Sequence, residues 1–327
     1  MGNGRLTVLT ESARRASLSV LLAASCLSLA TACGAKRAET TASAGAVTGH
    51  SSVSVLGPGG FRVAGVGLET PESVLYDERH DVYLISNVVG VPNQADHRAF
   101  ISRMTPDGTV TDLKWIESGA KGATLDAPKG MALSEDTLYV ADITRVRKFD
   151  RETGKPDGSI EIPGSSFLND VVIDGDHRLY VSDSGLGPDL SPNGNDAVYR
   201  ISENGSVEKI AGGTTLGRPN GLAMRDDGLW LVTFGSGELY RLDAAGQRAA
   251  VTRPPAGSLD GLAALEGRLF ISSWEASAIY ALAADGSFVE VVRGVPAPAD
   301  IGVDPKRRRL LIPLFNDDAV VVHELAR

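Results

Sequence analysis

Cysteine is almost missing from this chain: 327 residues contain two, Cys26 and Cys33, both near the N-terminus. The body after residue 33 therefore has no thiol, which excludes a disulfide framework and a zinc-thiolate site there. Histidine is scarce, with five residues, and there is no His-Glu-x-x-His, no phosphate-binding loop and no Gly-x-Ser-x-Gly, so those chemistries find no support. Positive charge is also in short supply. The net charge is −9, and because Arg5, Arg14 and Arg15 outweigh Glu11 in the first 33 residues, the remainder is more acidic still. An acidic body repels phosphate and argues against nucleic acid as a partner. The one basic run, Lys306-Arg307-Arg308-Arg309, follows Asp304-Pro305 and reads as a solvated turn.

The N-terminus carries a different signal. Arg14-Arg15 precedes an uncharged stretch, 16–32, that ends in Leu29-Ala30-Thr31-Ala32-Cys33. A basic start, an apolar middle and small residues before the break describe a secretory signal. A cysteine directly after small residues points to a lipoprotein in which Cys33 takes the lipid; ordinary cleavage after Ala32 and a retained anchor are the alternatives. All three export the body and leave it at the cell membrane or envelope or released from it, with the lipid as its contact with the membrane. Residues 34–52, mostly Ala, Thr, Ser and Gly, read as a flexible tether, and 53–327 as the folded domain.

What fills that domain is repetition. Six segments run from a turn into an apolar strand: Pro71-Glu72-Ser73-Val74, Pro128-Lys129-Gly130-Met131, Leu168-Asn169-Asp170-Val171, Pro219-Asn220-Gly221-Leu222, Leu259-Asp260-Gly261-Leu262 and Ala299-Asp300-Ile301-Gly302. Each is followed by a second strand, such as Leu138-Tyr139-Val140 or Leu229-Trp230-Leu231, and turn formers such as Glu203-Asn204-Gly205 and Ala284-Asp285-Gly286 close the third. A period near 40 residues with about four strands per copy predicts an all-β fold, a six-bladed propeller of four-stranded blades. A two-sheet sandwich does not explain six copies in one register. The last copy has three strands, so Val53-Ser54-Val55-Leu56 or Phe61-Arg62-Val63 is expected to supply its outer strand, because an open edge invites aggregation.

In that register the first strands line the axis, and Glu72, Lys129, Asn169, Asn220, Asp260 and Asp300 form a ring at one mouth of the pore. Taken singly, Asn-Gly and Asp-Gly are ordinary turn pairs; six polar groups at one repeat position are harder to ascribe to turns. Three carboxylates against one lysine call for a cation. Oxygen donors without His or Cys favour Ca²⁺ over Zn²⁺, with Mg²⁺ or Mn²⁺ as alternatives, and Glu72, Asn169, Asn220 and Asp260 are the expected ligands. Lys129 is expected to pair with a ring carboxylate such as Asp300.

These strand starts, with their ordered Glu, Asn, Asn and Asp, resemble those of the senescence marker protein, gluconolactonase and regucalcin family, over roughly residues 60–325. Paraoxonases and strictosidine synthase-like proteins are more distant relatives. The resemblance implies that Glu72, Asn220 and Asp260 hold the metal, that Asn169 is a ligand or substrate contact, and that Asp260 is the base. One departure stands out: the family's Glu-Gly-Pro is Glu72-Ser73-Val74 here. The implied chemistry is hydrolysis of a lactone or ester, with Asp260 or Glu72 taking a proton. Asn87, Lys129, Asp142, Asp183, Trp274, Asp300 and Asn316 are the expected contacts of a small-molecule substrate, the loop 184–196 a candidate lid, and His97 the one histidine expected on that face. The rival reading is a tethered, non-enzymatic binding propeller with a structural ion; a narrow polar pocket ending at the pore favours catalysis, a broad apolar patch favours binding.

Overall fold

A computed structural model describes residues 52–55 and 59–326 of the chain. The proposed signal segment with Cys33, and the tether as far as residue 51, lie outside the described residues. Five four-stranded antiparallel sheets follow one another along the chain, and a sixth, five-stranded sheet joins the two ends. The only helix among the described residues is a 3-10 turn, Thr214–Leu216, and none is long and apolar enough to cross a membrane. The fold is the expected six-bladed β-propeller.

Apolar side chains explain the arrangement. Each blade is flanked by two others, so both faces of its middle strands must be buried, and stretches such as Tyr83-Leu84-Ile85 and Leu231-Val232 read as continuous apolar runs. The core is accordingly divided into six clusters, each shared by two adjacent blades. One example joins Leu84 and Ile101 of the first blade to Val140 and Phe149 of the second, all essentially inaccessible. The outer hairpins turn at Gly108, Gly205, Gly246 and Gly286, whose φ values of 72–89° belong to the left-handed region that glycine enters freely.

Closure follows the expectation. Gly60–Ala64 pairs antiparallel with the last strand, Ala319–Glu324, as the fourth strand of blade six, and Ser52–Val55 adds a fifth outside it. The basic run is consumed by this blade and its two neighbours: Lys306 and Arg307 pair with Asp81, Arg308 with Glu266 and Arg309 with Glu324. All four cations have carboxylate partners.

Candidate metal centre and its pocket

The inner strands begin at Pro71, Pro128, Leu168, Pro219 and Leu259, and each carries a β-bulge in the same place. Pro128 faces Asp142 and Met131 faces Val140, so two residues stand opposite one; blades one, three, four and five repeat this shift. A bulge re-aims a side chain. Here the ring position is the bulged one, and Glu72, Lys129, Asn169, Asn220 and Asp260 all line a single cavity of about 250 Å³.

The residue after each ring residue sits against the next blade. A Cβ on Gly221 would stand 2.5 Å from the Asp260 carbonyl oxygen, and one on Gly261 would stand 2.3 Å from the Ile301 nitrogen. The Asn-Gly and Asp-Gly pairs are therefore not turns, and neither glycine has a positive φ. At these two joints glycine is there because the backbone of the next inner strand approaches too closely for a side chain. Serines of the second strands complete the joint. Ser86, Ser182 and Ser272 accept the N–H groups of Ser73, Asp170 and Gly261. Ser182 and Ser272 also donate to the carbonyls of Asn220 and Ala299 in the following blade.

Blade six corrects the expected register. Pro298 bridges to Leu314 as Pro71 does to Asn87. Ala297 before it has φ 44°, matching Thr70, Arg218 and Ser258 at 50–60° before their inner strands. The ring position is therefore Ala299. Asp300 lies one residue further along, beside Ser73, whose hydroxyl donates to it at 2.5 Å, and it does not line the upper cavity. With Asp170, whose carboxylate accepts the N–H groups of Leu222 and Val171, it forms a second buried acidic layer below the ring.

The four expected ligands share a property. Of nine buried side-chain polar atoms without a hydrogen-bond partner among the described residues, five belong to this cavity: Glu72 Oε2, Asn169 Oδ1, Asn220 Oδ1, Asp260 Oδ1 and Trp274 Nε1. Buried acceptors are normally satisfied. The Asn169 amide is oriented by donating to Ser184 Oγ at 3.1 Å, and that hydroxyl donates in turn to the Pro219 carbonyl. Four oxygen acceptors turned into one cavity fit a hard divalent cation. No three His, Cys, Asp or Glu side chains among the described residues form a metal-binding group; here two of the four donors are amides.

Electrostatics agree with this crowding. Burial, and then the neighbouring charges of Asp260 and Asp300, hold the Glu72 carboxyl well above its ordinary range. Burial and Asp300 push Asp260 up to about 8. Lys129 is displaced downward by burial, with Glu72 as its strongest opposing charge. Its ammonium donates to the Ala127 carbonyl at 3.1 Å and lies 4.3 Å from the centre of the Phe167 ring. The expected pairing with Asp300 is not formed.

Three expected substrate contacts are also displaced. Asn87, Asp142 and Asp183 occupy one repeat position at the end of the second strand and do not line the cavity. Asn87 accepts the Glu69 N–H, Asp142 those of Asp126 and Ala127, and Asp183 those of Ser166, Phe167 and Gly185. They tie down the backbone leading into the inner strands. His97 is mostly exposed, 2.7 Å from Asp126, and is not part of the wall.

Trp274 is in the wall, with aromatic neighbours that the sequence reading missed. Phe234, Trp274 and Phe315 follow the second strands of blades four, five and six at one repeat position. Trp274 touches both others, with ring centres 5.6 and 5.4 Å away. Phe315 takes the place expected of Asn316. Leu186 and Leu190 of the loop 184–196 line the cavity together with Pro92, and Asn93 links the two loops by donating to the Gly187 and Pro188 carbonyls.

Residues 71–301 match the SMP-30/Gluconolactonase/LRE-like region. The chain belongs to that family. No curated protein sequence matches it. Among solved structures, a gluconolactonase from Xanthomonas campestris is 17% identical with a TM-score of 0.63, covering 82% of this chain and 90% of its own. A catalytically inactive virginiamycin B lyase from Staphylococcus aureus with quinupristin is 16% identical with a TM-score of 0.56, over 84% and 94%. A nidogen/laminin complex reaches 18% and 0.55, over 69% and 80%. At these identities the structural likenesses show the fold alone; family membership rests on the match over 71–301.

Proposed function

We propose that this member of the SMP-30/Gluconolactonase/LRE-like family is an exported, divalent-metal-dependent hydrolase of lactones or esters. The observation that carries the reading is the convergence of Glu72 Oε2, Asn169 Oδ1, Asn220 Oδ1 and Asp260 Oδ1, all without partners, at the floor of a narrow cavity. The four oxygens would serve a structural ion as well; the narrow cavity that ends on them is what favours catalysis over a binding propeller. The solved gluconolactonase adds support by analogy of fold.

Those four residues would hold the cation, Ca²⁺ before Mg²⁺, Mn²⁺ or Zn²⁺ on the chemistry of the donors. Bound there, it would supply Lewis acidity toward a substrate carbonyl. The chain's own groups do the rest. Asp260 accepts the proton of the attacking water, with Glu72 as the second carboxylate in reach of the floor. Ser184 keeps the Asn169 oxygen turned inward. The Lys129 ammonium, fixed by the Ala127 carbonyl, places positive charge where an oxyanion develops. The aromatic wall and the two leucines keep bulk water out.

The test is a lactone and ester panel run before and after chelation, then with Ca²⁺ restored. Turnover should disappear and return. Hydrolysis indifferent to chelation, or absent for every substrate while the cation binds, would contradict the proposal. Export rests on the N-terminal pattern ending at Cys33 and on a body without thiols. Cys33→Ser should abolish lipid attachment, and equal detergent partitioning of both forms would refute the lipoprotein reading.

A further inference from the structure

The walls above the pore say more about the substrate than the floor does. Blades four, five and six present Phe234, Trp274 and Phe315 at the same repeat position, where blades one, two and three have Val88, Ile143 and Ser184. The three rings form one continuous arc. Polar groups left over in this wall are few and of one kind. Ser184 is fully engaged. The Trp274 indole N–H has no hydrogen bond of its own, although it lies near enough to Asp260 to steady that charge. The other spare group is the guanidinium of Arg218, which makes no hydrogen bond or ion pair among the described residues.

The backbone at 218 does not call for arginine. Its left-handed conformation is a repeat feature, met equally by Thr70, Ser258 and Ala297. The Arg218 side chain is nevertheless seated. It lies 5.9 Å from the Phe234 ring centre, against Gly235, where a Cβ would stand 2.2 Å from the arginine Nε. Arg218, the Trp274 N–H that faces Asp260, and the remaining N–H bonds of Lys129 are all donors, and none accepts. A polyhydroxylated lactone needs partners for several hydroxyls, and rings would leave them unpaired at a cost. A flat apolar body carrying a carboxylate satisfies the arc and the arginine together. The cavity of about 250 Å³ is smaller than a drug-sized pocket of roughly 300–1,000 Å³, which limits the body to about one ring.

We infer that the pocket selects a small aromatic ester or lactone bearing a carboxylate, held between the Phe234–Trp274–Phe315 arc and the guanidinium of Arg218. This rests on the hydrolase reading for its reaction but not for its ligand class. Two measurements separate them: kcat/KM of the purified full chain with Ca²⁺ for 4-carboxyphenyl acetate, phenyl acetate and glucono-1,5-lactone, and Trp274 fluorescence titrated with benzoate and with gluconate, using Trp274→Phe to isolate the signal. The carboxylated ester should exceed phenyl acetate by at least about tenfold and the sugar lactone by more, since roughly 1.4 kcal/mol is tenfold. Arg218→Met should bring the carboxylated-to-neutral ratio close to one, and Arg218→Lys should keep part of it. Benzoate should quench Trp274 where gluconate does not. Benzoate binding without turnover of any ester would sustain this inference and end the hydrolase reading. Preferential turnover of the sugar lactone, or an unchanged ratio in Arg218→Met, would overturn it and leave that reading intact.

Discussion

The narrow axis makes a prediction at Gly261. A Cβ there would meet the Ile301 nitrogen at 2.3 Å, the Ala299 carbonyl oxygen at 2.7 Å and the Asp300 Cα at 2.8 Å. All three are backbone, so no side chain can swing aside, and Gly261→Ala must push blade six outward. Overpacking of this kind costs roughly 1–3 kcal/mol, which at about 2–4 °C per kcal/mol for a large domain is a fall of about 2–12 °C in Tm. Gly261→Asn should be worse than Ala, because the clash grows with size. Gly286 reverses the order: its φ is 83° with nothing within 4 Å of a Cβ, and asparagine tolerates that backbone better than alanine. Differential scanning calorimetry of the four variants checks both rankings. If Gly261→Asn melts no lower than Gly261→Ala, the Asp260-Gly261 pair behaves as a turn, and the account of the pore as a steric joint is wrong.

Deleting 34–50 should leave the melting temperature unchanged, whereas deleting 34–66 removes Gly60–Ala64 from the edge of Ala319–Glu324 and should lower it; equal temperatures would refute closure by the N-terminal strand. Protonated His80 donates from Nδ1 to Asp77 at 2.7 Å and from Nε2 to Glu152 at 2.8 Å, and those partners raise its pKa above the ordinary 6.5. A raised folded value means that its stabilisation is complete below about pH 6.5 and fades as pH rises through the folded pKa, so urea midpoints of wild type and His80→Gln should differ at pH 5.5 and converge at high pH. A gap that widens with pH would show the sign to be wrong.

Strand order, blade number and closure were legible in the sequence because the repeats are written in apolar spacing, which the inter-blade clusters enforce. Glu72, Asn169, Asn220 and Asp260 were legible for a related reason, since a polar residue ahead of an apolar strand stands out in the first five copies. The sixth copy misled because Pro296-Ala297-Pro298-Ala299-Asp300 offers two prolines and an apolar ring residue, so Asp300 drew the register one place along. Asn87, Asp142 and Asp183 misled because a polar residue closing a second strand looks identical whether it faces a ligand or caps backbone N–H groups. Phe234, Trp274 and Phe315 carried a signal, an aromatic after the second strand in three consecutive copies, that only the alignment of strand ends makes visible. Arg218 carried none, because any residue tolerant of the left-handed backbone can stand there.

Calorimetric Ca²⁺ titration of wild type against Asp260→Asn tests most directly whether the four pore oxygens bind a divalent cation. The substitution keeps the shape and removes one charge. Unit charges about 4 Å apart interact by roughly 4 kcal/mol at an effective dielectric near 20, twice that against a dication, before desolvation offsets part of it. Affinity should therefore fall by at least about tenfold, for which roughly 1.4 kcal/mol suffices. Circular dichroism should stay unchanged, because the apolar clusters lie between the blades and not in the ring. Wild type that binds no divalent cation, or a variant that binds it equally well, would contradict the account.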